Sequence, residues 1–182
     1  MMPNLPDAGK TVCLAIDIQE RLTPVLYKHE DFVSECVRLL QGLQALSIPV
    51  LLTEQYPKGL GSTLPAVKTL LADTPVIEKT RFSAWNTETE QFIRQHQAQH
   101  VVLMGAETHI CMLQTALELR LQGFEVYIPF ECTTSRNPLN KENGLRQICD
   151  AGVTVGNTES LLFSLLRDAK HPAFKTISKL IV

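Results

Sequence analysis

The chain has 182 residues, 45% of them hydrophobic, with 17 Lys+Arg against 19 Asp+Glu and a net charge of −2. A chain of this length and composition buries about 70% of its unfolded surface as one domain, which argues against disorder. Its basic residues are scattered rather than gathered into a phosphate-binding stripe, which argues against nucleic acid as a partner.

The start, Met1 to Lys10, carries two prolines and an Asp. It lacks both the apolar stretch of a signal peptide and the Arg-rich pattern of a transit peptide, so a cytoplasmic address is expected. The five cysteines, at 13, 36, 111, 132 and 149, are odd in number and contain no Cys-x-x-Cys pair. Reduced thiols fit that pattern best. The longest apolar runs, Val12 to Ile16 and Val101 to Met104, fall far short of the ~20 residues of a membrane helix.

Short apolar runs alternate with longer amphipathic segments, which predicts a parallel sheet covered by helices in a single domain over residues 1–182. Thr11 to Asp17 reads as the first strand, and a helix over about Asp31 to Leu46 puts Phe32, Cys36, Leu39, Leu40, Leu43 and Leu46 on one face. Pro49 to Thr53 is the second strand, followed by a Gly/Pro-rich loop from Glu54 to Thr63, a short helix near Pro65 to Leu71, and a third strand over Val76 to Lys79. Thr87 with Glu90 reads as a capping box opening a helix to about Ala98, ahead of the strand His100 to Gly105. Thr108 is expected to cap a helix to Gln122, Gly123 to end it, and Phe124 to Phe130 to form the fifth strand. Asn137-Pro138 opens a helix to about Asp150, Val153 to Val155 is a sixth strand, and Thr158 is expected to cap a last helix, with a tail from His171.

In an open parallel sheet, ligands bind beyond the carboxyl ends of the strands. Asp17 ends the first strand there, Lys79 ends the third, and the fourth runs through Gly105 toward Cys111. With Thr108 as N-cap, Cys111 falls in the first helical turn, where free N–H groups and the helix dipole favour thiolate. Lys79 would add positive charge, and Asp17 would take the thiol proton and return it to a leaving group. The plainer alternatives are a small core cysteine, a loop-capping Asp and a solvated strand-end Lys.

These residues resemble the isochorismatase-like cysteine hydrolases, a family that includes isochorismatase, nicotinamidase and N-carbamoylsarcosine amidase. The resemblance spans nearly the whole chain. It is carried by Asp17-Ile18-Gln19, by Lys79-Thr80-Arg81-Phe82-Ser83, and by Gly105-Ala106-Glu107-Thr108-His109-Ile110-Cys111 with Gln114-Thr115-Ala116. The stretch Thr53 to Thr63 is most similar to the isochorismatase-domain-containing subgroup.

The resemblance implies a three-layer αβα, Rossmann-like fold with a six-stranded parallel sheet of order 3-2-1-4-5-6. It implies an Asp17, Lys79, Cys111 triad cleaving an amide-type C–N bond of a small metabolite through a thioester on Cys111. It also implies a cis peptide between Ala106 and Glu107, with the N–H groups of Glu107 and Cys111 forming an oxyanion hole. Gln19 resembles the family's glutamine behind the catalytic groups. A homo-oligomer is implied as well, and the apolar helix from Thr158 to Arg167 reads as buried or intersubunit.

Departures from the family pattern shape the rest. Where nicotinamidases carry an Asp-x-His metal motif, this chain has Glu54-Gln55-Tyr56, so no metal and no other cofactor are expected. His109, two positions from Cys111, points elsewhere on a helix and reads as a rim residue. Phe82 and Trp85 read either as walls of an apolar pocket or as packing; Tyr56 and Thr108 are further pocket candidates. Cys13, Cys36, Cys132 and Cys149 read as structural. The competing function is a catalytically silent binding protein on the same fold.

Overall fold

The computed structural model describes residues 5–181. Seven strands form one sheet: β1 (Thr11–Ile16), β2 (Val50–Gln55), β3 (Val76–Lys79), β4 (His100–Ala106), β5 (Glu125–Pro129), β6 (Thr133–Thr134) and β7 (Thr154–Gly156). All pair in parallel, in the order β3-β2-β1-β4-β5-β7, with β6 pairing only to the end of β4. The expected order is therefore present, but the strand count is seven rather than six. The two-residue β6 was hidden because Thr133-Thr134 has no apolar run and takes its partners wholly from β4.

Parallel strands covered on both faces become apolar without alternation. β1 shows the reason. Val12, Leu14 and Ile16 join Val101 and Leu103 of β4 in a core under the helices α4 (Thr87–Gln95), α5 (Leu113–Leu121) and α6 (Pro138–Asp150). Cys13 and Ala15 join Val102 and Met104 in a second core under α1 (His29–Ala45), α7 (Thr158–Leu166) and α8 (Phe174–Ile181). Between β2 and β3 lie two four-residue helices, α2 (Pro57–Leu60) and α3 (Pro65–Lys68). None of the described helices is long and apolar enough to cross a membrane.

Several element ends differ from expectation. The caps of α4 and α7 are Asn86, accepting from Thr89 N–H, and Asn157, accepting from Ser160 N–H; Thr87 and Thr158 are the first helical residues. An Asn one residue upstream outcompetes Thr because its side chain reaches the same free N–H groups from an extended backbone. The segment from His171 is no loose tail: α8 packs on α1 and buries Ile177 completely. The apolar α7 is likewise accounted for by burial, with Leu161, Leu162, Leu165 and Leu166 in the core and Phe163 edge-on to Phe174 of α8.

Candidate functional site

Strand order reverses between β1 and β4, and the crevice beyond their carboxyl ends is where such a sheet binds ligands. Ile16 and Gly105 stand side by side there. Gly105 has a φ of 144°, and a Cβ on it would lie 2.1 Å from the Ile16 carbonyl oxygen, so only glycine lets the two strand ends close up. Both strands then turn through left-handed residues, Asp17 at φ 54° and Glu107 at φ 56°.

Asp17 is fully buried. Its Oδ2 accepts from Lys79 Nζ at 2.7 Å, and its Oδ1 accepts from Thr53 Oγ1 at 2.7 Å. The negative charge of the same carboxylate also acts on the Cys111 thiol. The three residues that the sequence singled out thus meet on Asp17.

Lys79 has no N–H left over. Beside Asp17 its Nζ donates to Gln55 Oε1 at 2.7 Å and to the Phe82 carbonyl at 2.9 Å. Gln55 in turn donates from Nε2 to the Thr80 carbonyl and from its backbone N–H to Gln19 Oε1, while Gln19 Nε2 donates to the carbonyls of Gln55 and Gly61. Gln19 therefore straps the β2–α2 loop to the end of β1, and Gln55 aims the ammonium. Gln55 escaped the sequence reading. Its signal was its register directly beside Lys79 on neighbouring strands, which can be found only once the pairing is known. Glu54 is also structural, its Oε1 accepting from Thr63 N–H and Oγ1.

Cys111 lies in a π-helical turn, Thr108–Met112, which precedes α5. Glu107, not Thr108, occupies the capping position, and no side chain caps it. Thr108 instead pairs its hydroxyl with that of Thr133 at 2.9 Å inside the fold. The Ala106–Glu107 peptide is trans, with no cis bond among the described residues. The positive φ values at Gly105 and Glu107 make the turn that a cis bond was expected to make. The expected low-pKa thiolate is not found either. Burial, then the negative charge of Asp17, push the thiol up to about 12, and Lys79 offsets only part of this. With 5% of its surface exposed, the cysteine is a neutral thiol at rest.

Two hydrogen bonds fix the Cys111 turn against the loop after β3. Thr115 Oγ1 donates to the Cys111 carbonyl at 2.6 Å and accepts from Ala84 N–H at 2.9 Å. Ser83 Oγ and Arg81 both reach Glu118 of α5. Of the remaining candidates, Tyr56 and Phe82 are exposed on the rim, at 55% and 52%. Trp85 packs its ring 5.9 Å from that of Phe124, the packing alternative. His109 is half-buried, with Nδ1 3.0 Å from Ser135 Oγ. Among the described residues no group of three His, Cys, Asp or Glu is placed to hold a metal ion.

The isochorismatase domain family matches residues 11–160. Isochorismatase domain-containing protein 1 of Salmo salar is 40% identical over 172 residues, covering 94% of this chain and 60% of that protein. The chain thus spans about three-fifths of that relative's length. Among solved structures, the MAR1 ribonuclease of Caenorhabditis elegans superposes with a TM-score of 0.92 at 33% identity, over 96% of this chain and 91% of its own. The Escherichia coli YcaC gene product, described as an octameric hydrolase of unknown specificity, superposes with a TM-score of 0.92 at 19% identity over 100% and 91%. That last likeness is one of fold.

Proposed function

Because this chain belongs to the isochorismatase family, whose fold serves hydrolases, we propose that it is a metal-independent cysteine hydrolase of a C–N bond in a small metabolite. The observation that carries this reading is a single buried carboxylate, Asp17, that holds the Lys79 ammonium at 2.7 Å and whose charge acts on the Cys111 thiol. A neutral thiol near its base needs no standing thiolate: the proton moves as the bond to carbon forms.

In the first half-reaction Cys111 Sγ attacks the amide carbon while its proton passes to Asp17. The oxyanion is held by N–H groups at the opening of the π turn, Glu107 and Cys111 among them. The C–N bond then breaks as the nitrogen takes the proton from Asp17, leaving a thioester. Water, deprotonated by Asp17, attacks that carbonyl, and the departing sulfur recovers the proton. Lys79 takes no proton in this scheme. Its three N–H groups are engaged by Asp17, Gln55 and Phe82, so it acts by holding the Asp17 carboxyl aimed.

The raised thiol pKa specifically favours a second reading, a silent binding protein that retains the pocket. The net charge of −2 gives RNA no attraction, so the ribonuclease name of the worm protein is not carried over. The octameric state of the E. coli protein supports self-association here, which light scattering on the eluting protein measures directly; a 20.3 kDa particle would overturn it. A cytoplasmic setting accords with five unpaired thiols.

The test is a panel of small amides and ureides incubated with wild type, Cys111→Ala and Asp17→Asn, read by product release and by intact mass. Turnover in wild type alone, with an acyl adduct trapped on Cys111, supports the hydrolase. Equal turnover in Cys111→Ala would refute the thioester, and absence of both turnover and adduct across the panel would favour the silent binder.

A further inference from the structure

A cavity of about 330 Å³ is walled by the start of α1, by the segment joining β5 to β6, and by the first turn of α6. Lys141, the fourth residue of α6, lines it and is half-buried. Among the described residues no hydrogen bond or ion pair reaches its ammonium. The carboxylates on the same walls are placed for other tasks. Glu131 Oε2 accepts from the Thr158 N–H, and Glu35 Oε1 accepts from Arg38 at 2.7 Å. Asp31 is exposed in the first turn of α1, where it complements the dipole of that helix.

Three features of this position disfavour a charged ammonium. It lies in the opening turn of a 13-residue helix, whose positive dipole end repels a cation. Its side chain is partly withdrawn from water. Lys28, exposed at the capping position of α1, brings a like charge to the same cavity. Burial leads and Lys28 adds to it; against them Cys132, Glu131 and Cys36 favour the charge, and the balance holds the Lys141 amine below the ordinary lysine range. A cavity thus opens onto an amine that has no counter-ion bonded to it and gives up its proton readily.

We propose that Lys141 is an acylation site, taking acyl groups from small thioesters that enter this cavity. The free amine adds to the thioester carbonyl, the C–S bond breaks as the C–N bond forms, and the surplus proton on nitrogen leaves with the departing thiol. The product is a neutral amide in a place that disfavours charge. Cys111 has no part in this step, which stands apart from the hydrolase reading.

The probe is N,S-diacetylcysteamine, incubated with the whole chain, folded and in urea. Lysines left unreacted are then capped with deuterated acetic anhydride in urea, so that peptide mass gives the acetyl occupancy of each one. Lys68 and Lys175, both exposed, are the references.

At about pH 7.5 the folded chain is expected to acylate Lys141 at least about threefold faster than either reference, the gain in free amine being tempered by its lower nucleophilicity. Near pH 10 solvated amines become free base in quantity, and the ratio should narrow. In urea it should fall to within about twofold of unity, because burial and the helix are gone. Lys141 reacting no faster than Lys68 and Lys175 at about pH 7.5 overturns the proposal. So does a preference that is equal at both pH values, which would reflect access alone, or one that survives in urea. Loss of Lys141 labelling in Cys111→Ala, shown by thermal melting to be folded, would mean that the acyl group arrives by way of that thiol, and also overturns direct acylation.

Discussion

Asp17 and Lys79 form an ion pair with side chains 0% and 3% exposed, and a buried pair is better judged by what its loss leaves behind than by its own attraction. Lys79→Met strands a buried carboxylate and is expected to cost about 3–5 kcal/mol in urea unfolding. Adding Asp17→Asn to it should recover part of that loss, because the second change removes the uncompensated charge. The thiols set the alkaline limit. Cys13, Cys36 and Cys111 are all pushed above the ordinary thiol value of 9.0, chiefly by burial. Above pH 9 the unfolded chain releases these protons while the folded chain keeps them, so stability is full below pH 9 and falls above it. Each thiol contributes a slope of up to about 1.4 kcal/mol per pH unit, and for Cys111 the loss continues to about pH 12. Urea midpoints between pH 8 and 11 should show this slope, shallower in Cys111→Ala; an unchanged slope in that variant would contradict the raised thiol.

Element by element, the site depends on how the Cys111 turn is clamped. α6 touches it at Gly144, where a Cβ would lie 2.9 Å from the His109 Cα, so the helix approaches closely from that side. From the other side Thr115 bonds both the Cys111 carbonyl and Ala84 N–H. Thr115→Val keeps the shape and removes both bonds, leaving a buried N–H without its acceptor. A stability loss of about 1–3 kcal/mol is expected, together with slower modification of Cys111 as the turn loosens. Retention of wild-type stability would show that the hydroxyl is dispensable. The capping differences belong to this scale too. Thr87 and Thr158 each have an Asn directly before them, and both residue types are good caps, so the choice was decided by where the preceding loop leaves the backbone extended.

Across the whole molecule, two cores share one sheet, and the terminal helix closes one of them. Ile177 of α8 is wholly buried in the core shared with α1 and α7. Ile177→Ala should cost about 2–4 kcal/mol in denaturant unfolding, whereas a loose tail would tolerate it without effect. The period of the C-terminal segment was masked because only Ala173 and Ile177 of its residues are buried in the core, with Phe174 and Ile181 partly so. Its burial depends on α1, whose last residue, Ala45, precedes Ile177 by 132 positions (177 − 45), and so has no local signal.

The parallel α/β fold and the placing of Asp17, Lys79 and Cys111 along one sheet edge were legible in the residues themselves, whereas the strand order was implied by the family resemblance. Period, apolar runs and strand ends are local properties, and a parallel sheet turns strand ends into neighbours. What tertiary structure decided was everything that depends on distance across the chain. Gln55 aims Lys79 because β2 and β3 pair in that register, and β6 exists because β4 offers it a partner. The trans, left-handed turn at Glu107 follows from how closely β1 and β4 approach. The thiol of Cys111 is neutral because packing removes water from it. A dipole argument reads only the local helix end, whereas burial is set by residues from across the whole chain, and here burial is the larger effect.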